Sequence, residues 1–251
     1  MPMLKRITSF TLFMIITFSL TQNIYSAASD TECSVPVSPY GVKAASGQRE
    51  GIVNDRQKRI ALTFDDGPHS KYTAEILDLL KEYHVHATFF VVGSNVRTYP
   101  DLVIREISEG HEVGNHTDTH PCAVNKLDKT SLIKELTDAE NAIYEVSDYR
   151  PHLFRPPGGL RSNLITELAD EMDYSIVLWS IDTLDWSKNT DVNYVLKTVR
   201  KNIKDGAIIL CHDYVVRNKS VTVEALKILI PELISQGYEF VLASELIAES
   251  K

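Results

Sequence analysis

Acidic and histidine side chains recur in two short segments that could together bind a metal ion. Asp65 and Asp66 are adjacent, so their charges repel unless a cation lies between them or one carboxyl is protonated. His116 and His120 are four residues apart, a spacing that brings both imidazoles to one side if the chain turns helically. One carboxylate and two histidines leave coordination positions of a divalent ion open for water. Such a water ionises near neutral pH and becomes a hydrolytic nucleophile.

Each of these segments has a simpler explanation when it is taken alone. An Asp-Asp-Gly-Pro run is more often a turn than a catalytic motif, and a pair of histidines more often lies on the surface or in the core. The metal interpretation gains strength because three further segments also carry reactive side chains. These segments are 154–159 with Arg155, 182–186 with Asp182 and Asp185, and 210–213 with His212.

The pattern of apolar residues places these segments at the ends of predicted strands. Strands are predicted over 60–64, 87–92, 112–114, 152–155, 175–181, 206–212 and 239–242, and helices over 73–83, 100–108, 131–146, 164–172, 192–203 and 221–234. Repeated βα units predict an α/β fold, with a parallel sheet inside a layer of helices. About seven such units indicate a barrel of the TIM type, complete or incomplete, whose catalytic residues lie at the carboxyl ends of the strands.

The N-terminal segment is typical of a secretory signal peptide. Lys5 and Arg6 precede an almost uncharged apolar run over 7–20, and small residues at 26–28 offer a cleavage site. This run is shorter than the roughly 20 residues that a membrane-spanning helix needs, so cleavage is favoured over a retained anchor. The sequence therefore predicts a protein that is secreted or acts in the periplasm or cell envelope, without stable membrane insertion after cleavage.

Charge and composition limit the remaining possibilities. The formal net charge of −8 over 251 residues argues against nucleic acid as a partner. The predicted organisation is a signal peptide over 1–28, a linker or lead-in segment over 29–57, and one monomeric domain over 58–251. Cys33, Cys122 and Cys211 leave open whether a disulfide forms.

Taken together and in order, five segments resemble the five motifs of the polysaccharide deacetylase (NodB-homology) family, also called carbohydrate esterase family four. The segments are 63–68, 115–120, 154–159, 182–186 and 210–213, and the resemblance covers roughly residues 58–245. It implies a distorted, incomplete (β/α) barrel. It also implies metal-dependent hydrolysis of N-acetyl groups on an amino-sugar polysaccharide such as peptidoglycan or a chitin-like polymer, with release of acetate.

The same resemblance implies the residues of a metal centre and a proton-transfer pair. The implied metal ligands are Asp66, His116 and His120. The ion is one divalent cation, with zinc expected first and cobalt or nickel as alternatives. Asp65 corresponds to the general base and His212 to the general acid.

Further positions correspond to residues that support this chemistry. Arg155 matches the arginine that holds the base carboxylate, and Asp182 matches the carboxylate that pairs with the acid histidine and raises its pKa. Trp186 and Leu210 match residues that shape the pocket for the acetyl methyl group. The backbone N–H of Gly158 matches the oxyanion donor. Many members carry an aromatic or bulky residue there, so glycine implies a more open groove.

Two other functions remain as alternatives. Within the same family, the chain could be an O-acetyl esterase that acts on acetylated xylan. Outside enzyme chemistry, it could be a carbohydrate-binding protein that has lost catalysis, although all five motifs are intact. Segments 182–186 and 210–213 look more like those of amino-sugar deacetylases than those of xylan esterases, which favours the deacetylase.

Overall fold

A parallel β-sheet forms the centre of the protein. The computed structural model describes residues 57–214 and 220–248, so the predicted signal peptide and nearly all of the predicted linker lie outside the described residues. The strands are β1 (Lys58–Asp65), β2 (Thr88–Val91), β3 (Glu112–Asn115), β4 (Leu153–Phe154), β5 (Ser175–Ile176), β6 (Ile181–Asp182), β7 (Ala207–His212) and β8 (Tyr238–Phe240). Every pairing between them is parallel.

Helices follow most strands and cover the outside of the sheet. They are α1 (Tyr72–Tyr83), α2 (Gly93–Thr98), α3 (Pro100–Ser108), α4 (Lys129–Ser147), α5 (Asn163–Glu171), α6 (Val192–Asn202), α7 (Val221–Ser235) and α8 (Ala243–Ala248). Short 3₁₀ turns lie at Val124–Lys126 and Pro157–Gly159. Within the described parts of the chain, no helix combines the length and the apolar character that crossing a membrane requires.

The order of the strands shows a barrel that does not close. The sheet runs β5-β4-β3-β2-β1-β7-β6, and β8 pairs with the beginning of β1. The terminal strands β5 and β6 are not paired with each other, although only residues 177–180 separate them along the chain. The sheet nevertheless curls: Arg155 after β4 lies 2.7 Å from Asp65 on β1, although two strands, β3 and β2, separate β4 from β1 in the sheet. The predicted incomplete (β/α) barrel is therefore confirmed, with its open seam between β5 and β6.

Alternation along the strands separates an outer core from the barrel interior. On β1, Ile60, Leu62 and Phe64 belong to the apolar cluster that also contains α1, α3, α6 and α7 residues. Ala61 belongs to a different cluster with residues from β2, β4 and α8. Because side chains alternate along a strand, Thr63 and Asp65 share the interior face with Ala61. This alternation directs the last residue of β1 into the barrel.

Candidate active site

Polar side chains from four segments meet at the carboxyl ends of the strands. Asp65 is the last residue of β1 and His212 is the last residue of β7. The two residues are direct neighbours in the register of these strands. Asn115 ends β3 and pairs in register with Phe154, the last residue of β4. The next residues, His116 and Arg155, therefore lie side by side at the carboxyl ends of these strands. The barrel therefore gathers residues that are far apart in sequence, as the predicted strand ends required.

Arg155 is held inside the barrel and bonds Asp65. Its guanidinium donates to Asp65 Oδ1 at 2.7 Å and to Thr63 Oγ1 at 2.8 Å. Its Nε donates to the carbonyl of Val177 at 3.0 Å, and its guanidinium carbon lies 4.0 Å from the ring centroid of Phe90. Burial lowers the pKa of Arg155, although the charge of Asp65 opposes that shift. The residue stays a cation because a guanidinium is not deprotonated in proteins. Arg155 therefore bonds Asp65, the carboxylate that the sequence predicted as its partner.

Asp66, His116 and His120 form a compact group of potential metal ligands. Their ligand atoms all lie within 4.8 Å of one another. Asp66 Oδ1 is 3.4 Å from His116 Nε2 and 3.2 Å from His120 Nε2. His116 Nδ1 lies 2.6 Å from the carbonyl oxygen of Arg155, so Nδ1 donates to that oxygen and Nε2 is the nitrogen directed at Asp66.

This group fits a divalent cation. Asp66 Oδ1 is buried and has no hydrogen-bond partner among the described residues, an expensive state for a carboxylate oxygen unless a cation contacts it. Burial raises the pKa of Asp66, but attraction to the neighbouring imidazoles of His116, His120 and His212 outweighs burial and holds the pKa well below its ordinary value. A carboxylate kept ionised beside two imidazole nitrogens is a mixed N/O donor set that suits zinc and similar ions.

The two histidines are brought together by a turn and not by a helix. The segment from His116 to His120 contains no helix, and Thr117 and His120 have φ values of 69° and 54°. The helical turn considered for the four-residue spacing is therefore wrong, although the expected proximity of the imidazoles is confirmed by ring centroids 5.1 Å apart. Left-handed backbone is unusual for a β-branched residue such as Thr117 and requires support from its surroundings.

The structure corrects the carboxylate that pairs with His212. The partner is Asp185, whose Oδ1 lies 2.7 Å from His212 Nδ1 and whose Oδ2 accepts from His212 N at 2.8 Å. Asp182, expected in this place, instead accepts from the backbone N–H of Leu184 at 2.9 Å. The turn after β6, with Leu184 at a φ of 52°, returns the chain so that the later aspartate reaches β7. Spacing within segment 182–186 could not distinguish the two aspartates.

The pair of His212 and Asp185 keeps the imidazole protonated. Burial lowers the pKa of His212, but the charge of Asp185 and its hydrogen bond dominate and raise it to about 10. Burial also raises the pKa of Asp185, yet the charge of His212 outweighs it and the pKa lies below its ordinary value. The hydroxyl of Thr222 donates to Asp185 Oδ2 at 2.5 Å and fixes the carboxylate. His212 therefore enters the site as an imidazolium with its Nε2–H available.

Asp185→Asn is expected to lower the pKa of His212 in the metal-free protein from about 10 to near or below its ordinary 6.5. Burial remains in the variant, whereas the main attraction that favours the charged ring is lost. The raised pKa stabilises the folded state fully below pH 6.5, and this contribution disappears as the pH rises through about 10. NMR titration of the imidazole measures the shift. Asp182→Asn is the matched control, and an equal shift in both variants would contradict the assignment of Asp185.

The two residues expected to shape the acetyl pocket, Leu210 and Trp186, and the expected oxyanion donor, Gly158, occupy different environments. Leu210 is buried two residues before His212 on β7 and faces the same side of the strand. Gly158 lies in the turn after β4 with a φ of 61°, a conformation that glycine adopts without steric cost. Trp186 follows Asp185 and leaves 45% of its surface exposed. An exposed indole is available for contact with a ligand, but its part in a pocket stays a prediction.

Sequence reasoning assigned no role to Asp213, which connects the site to α1 and to the turn after β1. Asp213 is buried after β7, and its Oδ2 accepts from the hydroxyl of Thr73 on α1 at 2.5 Å. Burial raises the pKa of Asp213 to about 7. Its carboxylate also packs on Gly67, where a Cβ would come within 2.1 Å of Oδ2. Asp213 directly follows the candidate acid His212 in the sequence, which could have drawn attention to it. The sequence did not indicate its contacts with α1 and with Gly67.

Comparison with known proteins gives matches over most of the described chain. The sequence profile of the polysaccharide deacetylase family matches residues 52–177. A peptidoglycan-N-acetylglucosamine deacetylase of Bacillus cereus is 44% identical over 197 residues, which are 78% of this chain and 91% of that protein. The peptidoglycan-N-acetylmuramic acid deacetylase PdaC of Bacillus subtilis is 41% identical over 199 residues. That match covers 79% of this chain but only 40% of the longer PdaC sequence.

Solved structures match a similar share of the chain. The structure of PdaC superposes with a TM-score of 0.70 at 40% identity and covers 78% of this chain and 93% of that one. A family 4 acetyl xylan esterase from Clostridium thermocellum, in complex with a cobalt ion, superposes with a TM-score of 0.71 at 35% identity. The match covers 76% of this chain and 91% of the esterase. The fold is thus similar to those of a peptidoglycan deacetylase and an acetyl xylan esterase.

Proposed function

Because this chain belongs to the polysaccharide deacetylase family, we propose that it is a metal-dependent N-deacetylase that acts on the amino sugars of peptidoglycan and releases acetate. One observation carries the proposal. The Asp65–Arg155 ion pair, the cluster of three potential metal ligands and the His212–Asp185 pair lie at one end of the barrel. These groups would supply a base, a cation site and an acid, which together suit metal-assisted hydrolysis of an amide.

Asp66, His116 and His120 would hold the divalent cation, with zinc expected first. When bound, the cation supplies Lewis-acid polarisation of the acetyl carbonyl and of water. His116 would bind the cation through Nε2, because Nδ1 donates to the carbonyl of Arg155 and so fixes the orientation of the ring. Asp66 is ionised at neutral pH and therefore ready to bind.

Asp65 would act as the general base that takes a proton from the attacking water. Arg155 donates to Asp65 Oδ1, which leaves Oδ2 as the oxygen directed away from the guanidinium and available for the proton. Oδ2 lies 3.7 Å from His116 Nε2, so the base faces the cation site. This arrangement places proton abstraction next to the point where the nucleophile is activated.

His212 would act as the general acid. Cleavage of an amide requires protonation of the nitrogen, because an amide anion is a very poor leaving group. His212 is held protonated by Asp185, and its backbone position beside Asp65 places acid and base on neighbouring strands. The N–H of Gly158 would donate to the oxyanion of the tetrahedral intermediate, a contribution typical of backbone amides at such sites.

Peptidoglycan is favoured among the candidate polymers. The relatives from Bacillus cereus and Bacillus subtilis are named for action on peptidoglycan N-acetylglucosamine and N-acetylmuramic acid, whereas the matched esterase is named for acetyl xylan. A polymer outside the membrane also agrees with the predicted signal peptide, so the proposal includes secretion or a cell-envelope location. The proposal also keeps the predicted monomeric state. Chitin-like oligomers are a second substrate because they contain the same N-acetylglucosamine unit.

The test is acetate release by purified, zinc-loaded protein from peptidoglycan, chitooligomers and acetylated xylan. We expect the highest kcat/KM on peptidoglycan or chitooligomers. His120→Ala is the inactive control because it removes one cation ligand. Activity confined to acetylated xylan would replace the proposal with an O-acetyl esterase. Binding of the polymers without any acetate release would replace it with a carbohydrate-binding protein.

A further inference from the structure

The turn that carries the two histidines is held from outside by a side chain of α4. Glu135 accepts three hydrogen bonds from this turn. Its Oε2 accepts from the backbone N–H of Asp118 at 3.0 Å and of Thr119 at 2.8 Å. Its Oε1 accepts from the hydroxyl of Thr119 at 2.7 Å. Two consecutive amides and a hydroxyl of the segment between the histidines therefore converge on one carboxylate.

Backbone groups of α2 and the side chain of Asn115 also hold this turn. The N–H groups of Gly93 and Ser94, at the beginning of α2, donate to the carbonyls of Thr117 and Asp118 at 3.0 and 2.9 Å. Asn115 Oδ1 accepts from Thr117 N at 2.8 Å. The carbonyls of the turn are thus fixed by main chain, whereas its amides at 118 and 119 depend on the side chain of Glu135.

We propose that Glu135 is a positioning residue for the cation site, holding the 116–120 turn so that both imidazoles face Asp66. The inference rests on the proposed function in one respect, since it assumes that the Asp66, His116 and His120 cluster binds a divalent cation. Glu135 itself acts only through the backbone. Its role follows from the left-handed φ values of Thr117 and His120, which chain segments retain only when their surroundings enforce them.

Loss of the Glu135 carboxylate would leave the backbone N–H groups of Asp118 and Thr119 with only water as a hydrogen-bond acceptor. Thr117 and His120 could then relax to negative φ values. His120 would suffer most, because it ends the turn and its side chain is 31% exposed, whereas His116 is buried and bonded to Arg155. A cation would then have to reorganise the turn before it could use all three ligands. Removal of residues that orient metal ligands typically weakens metal binding about 10- to 100-fold.

Glutamine should preserve this function. Its carbonyl oxygen can accept from both amides, as Oε2 of Glu135 does, and its NH₂ group can donate to the hydroxyl oxygen of Thr119. The hydrogen bonds matter here and the charge does not, so a conservative variant distinguishes positioning from electrostatic attraction of the cation.

The experiment measures zinc affinity of the metal-free protein by competition with a chromophoric chelator. Glu135→Ala is expected to raise the Kd for zinc by about tenfold or more, and Glu135→Gln to retain the wild-type Kd. Thr119→Ala, at an exposed position, removes one of the three hydrogen bonds without altering α4 and should raise the Kd by a smaller factor. Glu145→Ala is the matched control, an exposed glutamate on the same helix, and should bind zinc like wild type.

Visible absorption of the cobalt-loaded protein supplies a second readout. A displaced His120 changes the ligand geometry, so the spectrum of Glu135→Ala should differ from wild type and that of Glu135→Gln should not. Wild-type zinc affinity and cobalt spectra in both Glu135→Ala and Thr119→Ala would overturn the inference. Failure of the wild-type protein to bind zinc or cobalt would instead overturn the metal site of the proposed function, so the two failures are distinct.

Discussion

Asp65→Asn is expected to lower kcat for deacetylation by a factor of about 100 or more, the effect of losing a general base, while the metal content stays at the wild-type level. Asparagine keeps the shape of the side chain and still accepts a hydrogen bond from Arg155, but it cannot take a proton from water. The adjacent change Asp66→Asn should have a different effect. It removes the ionised ligand oxygen that lies within 3.2 to 3.4 Å of both imidazoles and should reduce metal content together with activity.

Elemental analysis and initial rates on chitooligomers, measured on both variants, separate the two roles. The substitutions are chemically identical and one residue apart, so each is the control of the other. Restoration of activity by excess zinc is expected for Asp66→Asn only. If Asp65→Asn loses the metal and Asp66→Asn retains it, the assignment of base and ligand is reversed.

His212→Ala is expected to separate amide from ester chemistry. Expulsion of an amine requires a proton on nitrogen, so the variant should lose roughly a hundredfold or more in kcat/KM on an N-acetylated sugar. An aryl acetate has a leaving group that is stable without a proton, so its hydrolysis should fall much less. The cation ligands and Asp65 should matter for both substrates, because both need an activated water and a stabilised oxyanion.

The measurement is kcat/KM of His212→Ala on a chitooligomer and on an aryl acetate, each relative to wild type. Asp185→Asn should show the same selectivity more weakly, since its imidazole is present but less often protonated. Equal losses on the two substrates would show that His212 is not the leaving-group acid, and a structural or oxyanion role would replace it.

Regular periodicity made most of the fold predictable. The helix predicted over 100–108 has the observed bounds, and the strands that became β1, β2, β3 and β7 were placed within two residues of their ends or closer. Segment 175–181 was predicted as one strand but is two short strands with the seam between them. An apolar run does not reveal that its middle crosses a gap in the sheet. The short helix α2 was missed because its six residues are too few to show a periodic pattern.

The site was less predictable than the fold. The resemblance correctly predicted that Asp66, His116 and His120 lie close together. It also correctly predicted the bond between Arg155 and Asp65. It did not identify Asp185 as the partner of His212, because the choice depends on the turn at Leu184 and not on residue type. Contacts between segments far apart in the sequence, such as that of Thr222 with Asp185, have no local sequence signal.

The open seam also affects how the protein behaves at high concentration. An unclosed sheet has two edges whose free N–H and C=O groups can pair with the edge of another molecule and start aggregation. Here both edge strands, β5 and β6, are only two residues long. So short an edge offers few groups for intermolecular strand addition, in the way that natural β-proteins limit such pairing. The barrel can therefore remain open at this seam without exposing a long template for self-association.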